Sequence, residues 1–549
     1  MKNLFKLFTI LLIAVFLSGC TKKFDDINKD PKALTLASLD QTSYGYVFKK
    51  SIIGISYLEP YGGTMQTLHS LFFDTYANYF ATSTPNFLSD RYVMVGSWLD
   101  GDFQGFYGDQ APQVKWVEDF ARTKKMDMEL GMAKIWKVWS YMRYTDALGP
   151  IPYSQYGNMQ KTVAYDSQES IYTNFFLELD SAISLLKANV GATSPNIGSN
   201  DPLYAGNIDK WQKFGSSLRL RLALRVKYVN PAMAKANAEK AVTEGVITSN
   251  DENGWVTTTP DMQNPYNIIS PWIEYRMSAD MESILKGYAD PRVKSYYSPA
   301  LQPDNTDDAP FAAGAFPYEG MRNGQTKNDR SAIAFDKFNS DMAKPYTIVG
   351  DQGPKWFVMR AAETYFLRAE GALENWAMGG TAADLYKTGI QTSLAENGYT
   401  DNLNMLGEDY ATSPRVPATP GKDANTFAWN VPAIAVPPVS TAPIAFITAG
   451  TKEQQLEQII TQKWIGLWPD SQEAYSERRR THYPTLFPRL ESENLDVPAT
   501  SLPVRLTYWT SEYTNNATEV ANAITKLNAE SATPNGDKAN TKLWWDKKP

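Results

Sequence analysis

Cysteine is almost missing from this chain: Cys20 is the only one among 549 residues. A single cysteine cannot close an internal disulfide, so no covalent framework holds the fold. Histidine is nearly as scarce. His69 and His482 are the only two, and neither sits in a metal-ligand pattern such as H-E-x-x-H. The sequence has no G-x-S-x-G elbow, no phosphate-binding P-loop and no dinucleotide fingerprint. Long basic runs are absent too, and acidic residues outnumber basic ones, 60 to 53, for a formal charge of -7. That balance argues against nucleic acid and against charge-driven binding to anionic lipid. Beyond Cys20 no apolar stretch approaches the roughly 20 residues needed to cross a bilayer, and mean hydropathy is -0.39.

The amino-terminal end is the informative exception. Lys2 and Lys6 precede an apolar run, Leu7 to Leu17, broken only by Thr9, and Leu17-Ser18-Gly19-Cys20 follows. Basic, then apolar, then small residues is the pattern of a cleavable secretory signal. A cysteine directly after the small residues marks lipoprotein processing, in which the thiol is acylated and residues 1–19 are removed. Two or three acyl chains supply the multiple signals that stable anchoring needs. The lone cysteine then has a task, and with its thiol capped, cysteine catalysis and zinc–thiolate chemistry are excluded. Losing Lys2 and Lys6 moves the formal charge to -9. Residues 20–36, polar and turn-rich, read as a lipidated tether leading to one domain over 37–549.

Helical periodicity dominates that domain. Met132, Ile135, Trp136, Trp139 and Met142 form a stripe over 131–148, which Gly149-Pro150 stops. Asp166 with Glu169 resembles a capping box, ahead of a stripe from Ile171 to Leu186. Ser217 to Arg225 alternates Leu and Arg with period two, the pattern of a strand. Trp211, Phe214, Leu218 and Leu222 supply a competing helical stripe, and neither Leu nor Arg is β-branched. The segment is assigned to a helix buried on more than one face, with arginines reaching outward or pairing with carboxylates. Further helices are expected over 355–376, where Ala362, Ala369 and Ala372 would admit a close neighbour, and over 382–396, 456–467 and 473–480. The fold class is therefore mostly α. Pairs of helices with short turns suit tetratricopeptide-type repeats, but the period is irregular and a non-repeating helical scaffold fits as well.

Aromatics are abundant, at 13% with 15 Trp and 31 Tyr. Many must be core, yet the excess suits a sugar- or peptide-binding surface. Non-repeat segments over 60–110 and 250–350 concentrate them, and a Pro-rich loop spans 400–445 and includes Trp429. Aromatic planes stack on the C–H face of a sugar while Asp, Asn and Arg bond its rim. The candidate ligand-binding residues by composition are Tyr79, Asp90, Arg91, Tyr92, Trp98, Trp272, Tyr275 and Tyr318, with Trp98 and Trp272 as the principal stackers. Asp304, Asp307 and Asp308 could ligate calcium, though a solvated acidic loop accounts for them better; no other cofactor is expected. A surface-anchored glycoside hydrolase, which needs only two carboxylates, stands as the alternative from another class.

Several segments together resemble the SusD/RagB family of nutrient-binding outer-membrane lipoproteins. They include Leu17 to Cys20, Phe24-Asp25-Asp26-Ile27-Asn28, Tyr144-Thr145-Asp146-Ala147-Leu148-Gly149-Pro150, Trp211-Gln212-Lys213-Phe214, Asp290-Pro291-Arg292, Glu363-Thr364-Tyr365-Phe366-Leu367-Arg368-Ala369-Glu370, Pro503-Val504-Arg505-Leu506-Thr507-Tyr508 and Trp544-Trp545-Asp546. The resemblance implies about four tetratricopeptide-like helix pairs, no catalysis, and an oligosaccharide or, in some members, a peptide as ligand. It also implies a partner, a SusC-type TonB-dependent β-barrel over which the lipoprotein sits as a lid. The acidic pair Asp25-Asp26 looks like an export signal to the cell surface, although Lys22-Lys23 and Phe24 precede it. Replacing Cys20 (Cys20→Ala) is expected to abolish labelling by a fatty-acid analogue and to release the protein from the membrane fraction. Retention of both label and membrane association by that variant would refute the anchor.

Overall fold

A computed structural model describes residues 39–58, 65–84, 86–160, 162–303, 308–326, 335–421 and 437–549. Cys20, the tether, Asp304, Asp307 and Trp429 lie outside the described residues. The chain divides into a short unit, Met1–Tyr44, and a body, Gly45–Pro549. In the first, Asp40 caps a single 3₁₀ turn, Gln41–Ser43, by accepting from the amides of Thr42 (3.0 Å) and Ser43 (3.2 Å).

The longer helices are α1 (Tyr44–Ile55), α2 (Gly96–Gly105), α3 (Ala111–Lys124), α4 (Asp127–Leu148), α5 (Gln168–Lys187), α6 (Ile208–Arg225), α7 (Pro231–Glu244), α8 (Ala279–Gly287), α9 (Ala361–Leu373), α10 (Ala382–Glu396), α11 (Lys452–Leu467), α12 (Ser471–Thr481) and α13 (Ala517–Glu530). Among the described residues there are also four short strands: β1 (Phe80–Thr82), β2 (Gly254–Val256), β3 (Tyr275–Met277) and β4 (Trp356–Met359). β1 pairs with β3 and β2 with β4, both antiparallel. A π-helical segment, Met65–Asp74, runs through the 60–110 segment expected to lie outside the repeats.

Neighbouring helices pack in series, α3 on α4, α4 on α5, α5 on α6 and α6 on α7. α6 also meets α9, which packs on α10 and α11, and α11 packs on α12. This is the helix-pair arrangement the resemblance implies, and the mostly helical expectation holds. Small residues set the closest approaches. A Cβ on Gly389 of α10 would lie 2.8 Å from the Phe366 ring of α9, and one on Gly215 of α6 would lie 2.7 Å from Ile135 of α4.

Two local expectations need correction. Asp166 does not open α5. Its carboxylate instead accepts from the amides of Tyr153 (3.2 Å) and Ser154 (2.7 Å), tying down the turn after α4. Ser167 takes the N-cap, accepting from the Ser170 amide (3.3 Å). The segment 355–376 splits, because its first residues extend into β4 and α9 begins only after Arg360.

The ambiguous Leu–Arg alternation in α6 is resolved by what surrounds it. Leu218, Leu220, Leu222 and Leu224 are buried, and so are Arg219, Arg221 and Arg225. Arg221 makes a two-pronged contact with Glu363 of α9 (2.8 and 2.5 Å). Arg225 bonds Glu477 and Glu473 of α12, both at 2.6 Å, and lies 3.3 Å from Asp146. Arg480 grips Glu370 of α9 through both terminal nitrogens (2.7 and 2.6 Å) and also bonds Glu477. Lys463 of α11 sits 3.0 Å from Glu477, and Lys227 sits 2.9 Å from Glu370. Five cations thus meet five carboxylates in the interior.

Burial alone would raise the carboxyl pKa values of Glu370 and Glu477, but the neighbouring cations overcome it. Arg480 and then Lys227 bring Glu370 down to about 2, and Arg480, Lys463 and Arg225 hold Glu477 well below its ordinary value. Carboxylates depressed in the folded state contribute stability that is fully present above about pH 4.5 and is lost as pH falls toward 2. Removing one partner from a buried pair strands the other charge, typically at about 3–5 kcal/mol. Arg480→Met is therefore expected to lower urea-measured stability by about that much. The wild type should hold its stability down to about pH 4.5 and lose it below. A variant as stable as wild type would show that the network contributes nothing net.

Candidate functional site

Beyond its three-residue ladder, the β1–β3 pair carries an exposed turn. Thr82 lies opposite Tyr275, and Ser83 extends the pairing by donating its N–H to the Glu274 carbonyl (2.9 Å) and its Oγ–H to the Ile273 carbonyl (2.8 Å). Ser270–Trp272 forms a 3₁₀ turn with Pro271 presetting φ, and Ile273 closes it at φ +60°. A β-branched residue in this left-handed region is strained, a condition that persists only where surrounding bonds enforce it. The product is an apolar ridge of Pro271, Trp272 and Ile273, with Trp272 45% and Ile273 49% exposed. Among the described residues Trp272 is the only strongly exposed tryptophan. Glu274 flanks it, accepting from Gln66 Nε2 (2.6 Å), and partial burial pushes the Glu274 carboxyl above its ordinary range.

The floor beneath the ridge is aromatic. The Ser270 and Tyr275 hydroxyls bond each other (2.8 Å), and Tyr275 meets Phe80 edge-on with centroids 5.0 Å apart. Tyr266 donates to Asp74 (2.9 Å). His69, buried near them, is pushed down to about 3 by burial and then by Arg143, so it is neutral at physiological pH. Trp98 of α2 is half-buried, its ring 5.9 Å from Phe87 and 6.0 Å from Phe72. Phe87 follows exposed Asn86, close along the chain to the Ser83 that fastens the turn.

Most of the residues chosen by composition point inward. Tyr79 is fully buried and donates to the Trp464 carbonyl. Asp90 is also fully buried, accepting from Asn323 (2.9 Å) and the Gly324 amide (3.1 Å). Arg91 is buried against Glu493 and the Gln325 carbonyl. Tyr275 belongs to the floor, and Tyr318 is buried against Phe316. None of these five faces solvent, and Tyr79, Asp90 and Arg91 tie distant segments together. The reason is general: a tyrosine or arginine whose polar end finds an internal partner is as content inside as outside. Tyr92 is buried as well but forms part of a cavity wall. Trp272 and Trp98 retain exposed ring surface. Asp308, one of the three acids considered for calcium, bonds the Gly314 amide, and no group of three or more potential metal ligands occurs among the described residues.

Composition missed a cavity of about 750 Å³ beside this region. Tyr296, Tyr346, Phe357 and Trp468 line it, together with Arg360 and Glu396, which pair at 2.9 Å. One wall, Pro345–Pro354, is fastened to the segment leading into the ridge, because Asn267 donates to the carbonyls of Pro345 (3.0 Å) and Ile348 (3.2 Å). Ile348 and Val349 in that wall are exposed. Arg360, Glu396 and Trp468 stand at helix ends, far apart in sequence, so no local pattern announces them.

A family model described as SusD-like, the SusD and RagB outer membrane lipoproteins, matches residues 26–546. Among solved structures, a chitin-binding SusD homolog from Flavobacterium johnsoniae is 34% identical, with a TM-score of 0.79 over 92% of this chain and 98% of that one. SusD homologs from Bacteroides ovatus (30% identity, TM-score 0.79, 92% and 99% covered) and Bacteroides thetaiotaomicron (30%, 0.76, 93% and 100%) are similar throughout. No curated protein matches the chain. The family is one of non-catalytic lipoproteins, which removes the support for a hydrolase.

The geometry separates ridge from floor. Trp272→Ala is expected to leave the melting temperature within about 1 °C of wild type, since a surface substitution usually shifts stability by no more than about 0.5 kcal/mol. Tyr79→Ala should lose about 3–5 kcal/mol as a large-to-small core change. Equal losses in the two variants would mean that Trp272 is structural.

Proposed function

The chain belongs to the SusD-like family of outer membrane lipoproteins, and from that premise we propose that it captures an oligosaccharide on the Trp272 ridge and passes it to a SusC-type TonB-dependent β-barrel. The observation that carries this reading is a single strongly exposed tryptophan, held by a strained turn on an aromatic floor. A flat apolar ring kept in water by a conformation that costs free energy is what stacking on a sugar face requires. Trp98, Phe87 and Asn86 offer a further patch of ring area and an amide. The neighbouring groove adds Tyr296, Tyr346 and Phe357 over the buried Arg360–Glu396 pair.

Anchoring through Cys20 on the outer face of the membrane would leave the body free to meet cargo outside the cell. Affinity need not be high. A protein that must release cargo into a transporter is served by dissociation constants from micromolar to millimolar, about -8 to -4 kcal/mol, within reach of one or two stacked rings and a few hydrogen bonds. The chitin-binding relative makes β-linked N-acetylglucosamine oligomers the first ligand to try. A peptide on the same ridge remains the alternative outcome.

In calorimetry, chitohexaose is expected to bind with a micromolar to millimolar constant. Trp272→Ala should weaken it at least tenfold, and Trp98→Ala by a smaller factor. Glycan affinity unchanged in the double variant, or binding of peptide mixtures and no glycan from a broad panel, would overturn the reading. Co-purification of a large β-barrel with the tagged lipoprotein tests the partnership separately.

A further inference from the structure

A second cavity, about 540 Å³, lies between α12 and the carboxy-terminal segments, lined by Tyr92, Arg478, Arg479, Lys542, Asp546 and Ser501 among others. Its charges are not balanced as they are elsewhere. Buried Arg221, Arg225, Arg292, Arg360, Arg480 and Arg505 each pair with a carboxylate. Arg478 and Arg479 form no ion pair among the described residues. Arg478 spends one terminal nitrogen on the Tyr76 carbonyl (3.0 Å) and the Asn78 amide oxygen (3.1 Å). Arg479 donates to the carbonyls of Asp146 (2.7 Å) and Val504 (2.9 Å) and to Ser476 Oγ (2.9 Å), while stacking on Tyr475 and Trp545. Carbonyls satisfy hydrogen bonds without neutralising charge. The one carboxylate in the lining, Asp546, is engaged by Lys542 at 3.3 Å. Asp280 faces Arg478, and Asp146 and Asp546 face Arg479, without closing an ion pair, so the positive charge is only partly compensated in a concave site of an otherwise acidic protein, an arrangement that favours an anion.

The remaining lining says which anion fits. Phe487, Leu502 and Val504 give an apolar wall, and Thr500 and Ser501 are exposed hydroxyl residues at the mouth with His482 nearby. The volume accommodates a single sugar ring with water, within the usual range for small-molecule sites. We propose that this cavity binds a sugar acid, its carboxylate set between Arg478 and Arg479 and its ring against the Phe487 wall. The site is separate from the Trp272 ridge and does not depend on it.

The test is calorimetry with glucuronate, glucose and inorganic sulfate on the intact soluble protein. Glucuronate is expected to bind at least tenfold tighter than either of the others. Ser501→Trp, which fills the mouth from an exposed position, should reduce glucuronate affinity at least tenfold without changing the melting temperature. Arg478→Gln should reduce it similarly, and Trp272→Ala should leave it unchanged. Glucuronate no tighter than glucose, or no tighter than sulfate, overturns the proposal. So does full affinity in Ser501→Trp, or loss of affinity in Trp272→Ala.

Discussion

The buried exchange of charge among α6, α9, α11 and α12 is the constraint on which the rest of this structure depends. Hydrophobic contacts alone would let helices slide or rotate against one another at modest cost. Two-pronged arginine–carboxylate contacts do not, because their geometry is directional and any slip leaves a charge without a partner in a medium that does not solvate it. Glu477 illustrates this. It accepts from Arg225 of one helix and Arg480 of its own, and lies beside Lys463 of a third. Such a node has one register. The desolvation of ten charged groups can cancel much of their attraction, so the network contributes more to the uniqueness of the arrangement than to its depth.

That fixed helical frame positions the proposed ligand surface. Trp464 of α11 donates its indole N–H to the Ala77 carbonyl (2.8 Å) and receives the Tyr79 hydroxyl on its own carbonyl. Arg478 of α12 holds the carbonyl of Tyr76. The segment entering β1 is thus hung from two helices of the frame, and β1 in turn carries the turn with Trp272. A ladder of three residue pairs would be marginal in water. Here it is embedded in rings from Tyr266, Tyr297 and Trp468, which supply the burial that so short a pairing lacks.

How much of this was legible in the sequence depended on whether the signal was local. The helix over 382–396 could be read to the residue, since its apolar spacing and end signals are all nearby. The Leu–Arg alternation of α6 misleads any reading based on one buried face, because the opposing face is buried as well, against carboxylates that lie 142 to 252 positions away. Asp166 and Ser167 are both good cap residues, and only the needs of the preceding turn decide between them. The ligand-side choices fared worst for the same reason. Tyr79 and Tyr275 have the composition of a sugar platform, yet their hydroxyls find internal partners supplied by distant chain. Trp272 carried a near-neighbour clue, the Ser-Pro-Trp turn, and it is the most exposed of the residues chosen.

The turn that presents Trp272 is fastened through backbone carbonyls, those of Ile273 and Glu274, and not through the side chains it displays. Its display positions are consequently decoupled from its support. Exchanging Trp272 or Ile273 for other residues alters the chemistry that the turn presents while the bonds that hold it survive. A lineage facing a new diet could retarget such a protein by a few substitutions at the tip, leaving the helical frame, and with it any transporter that reads the frame, as it was.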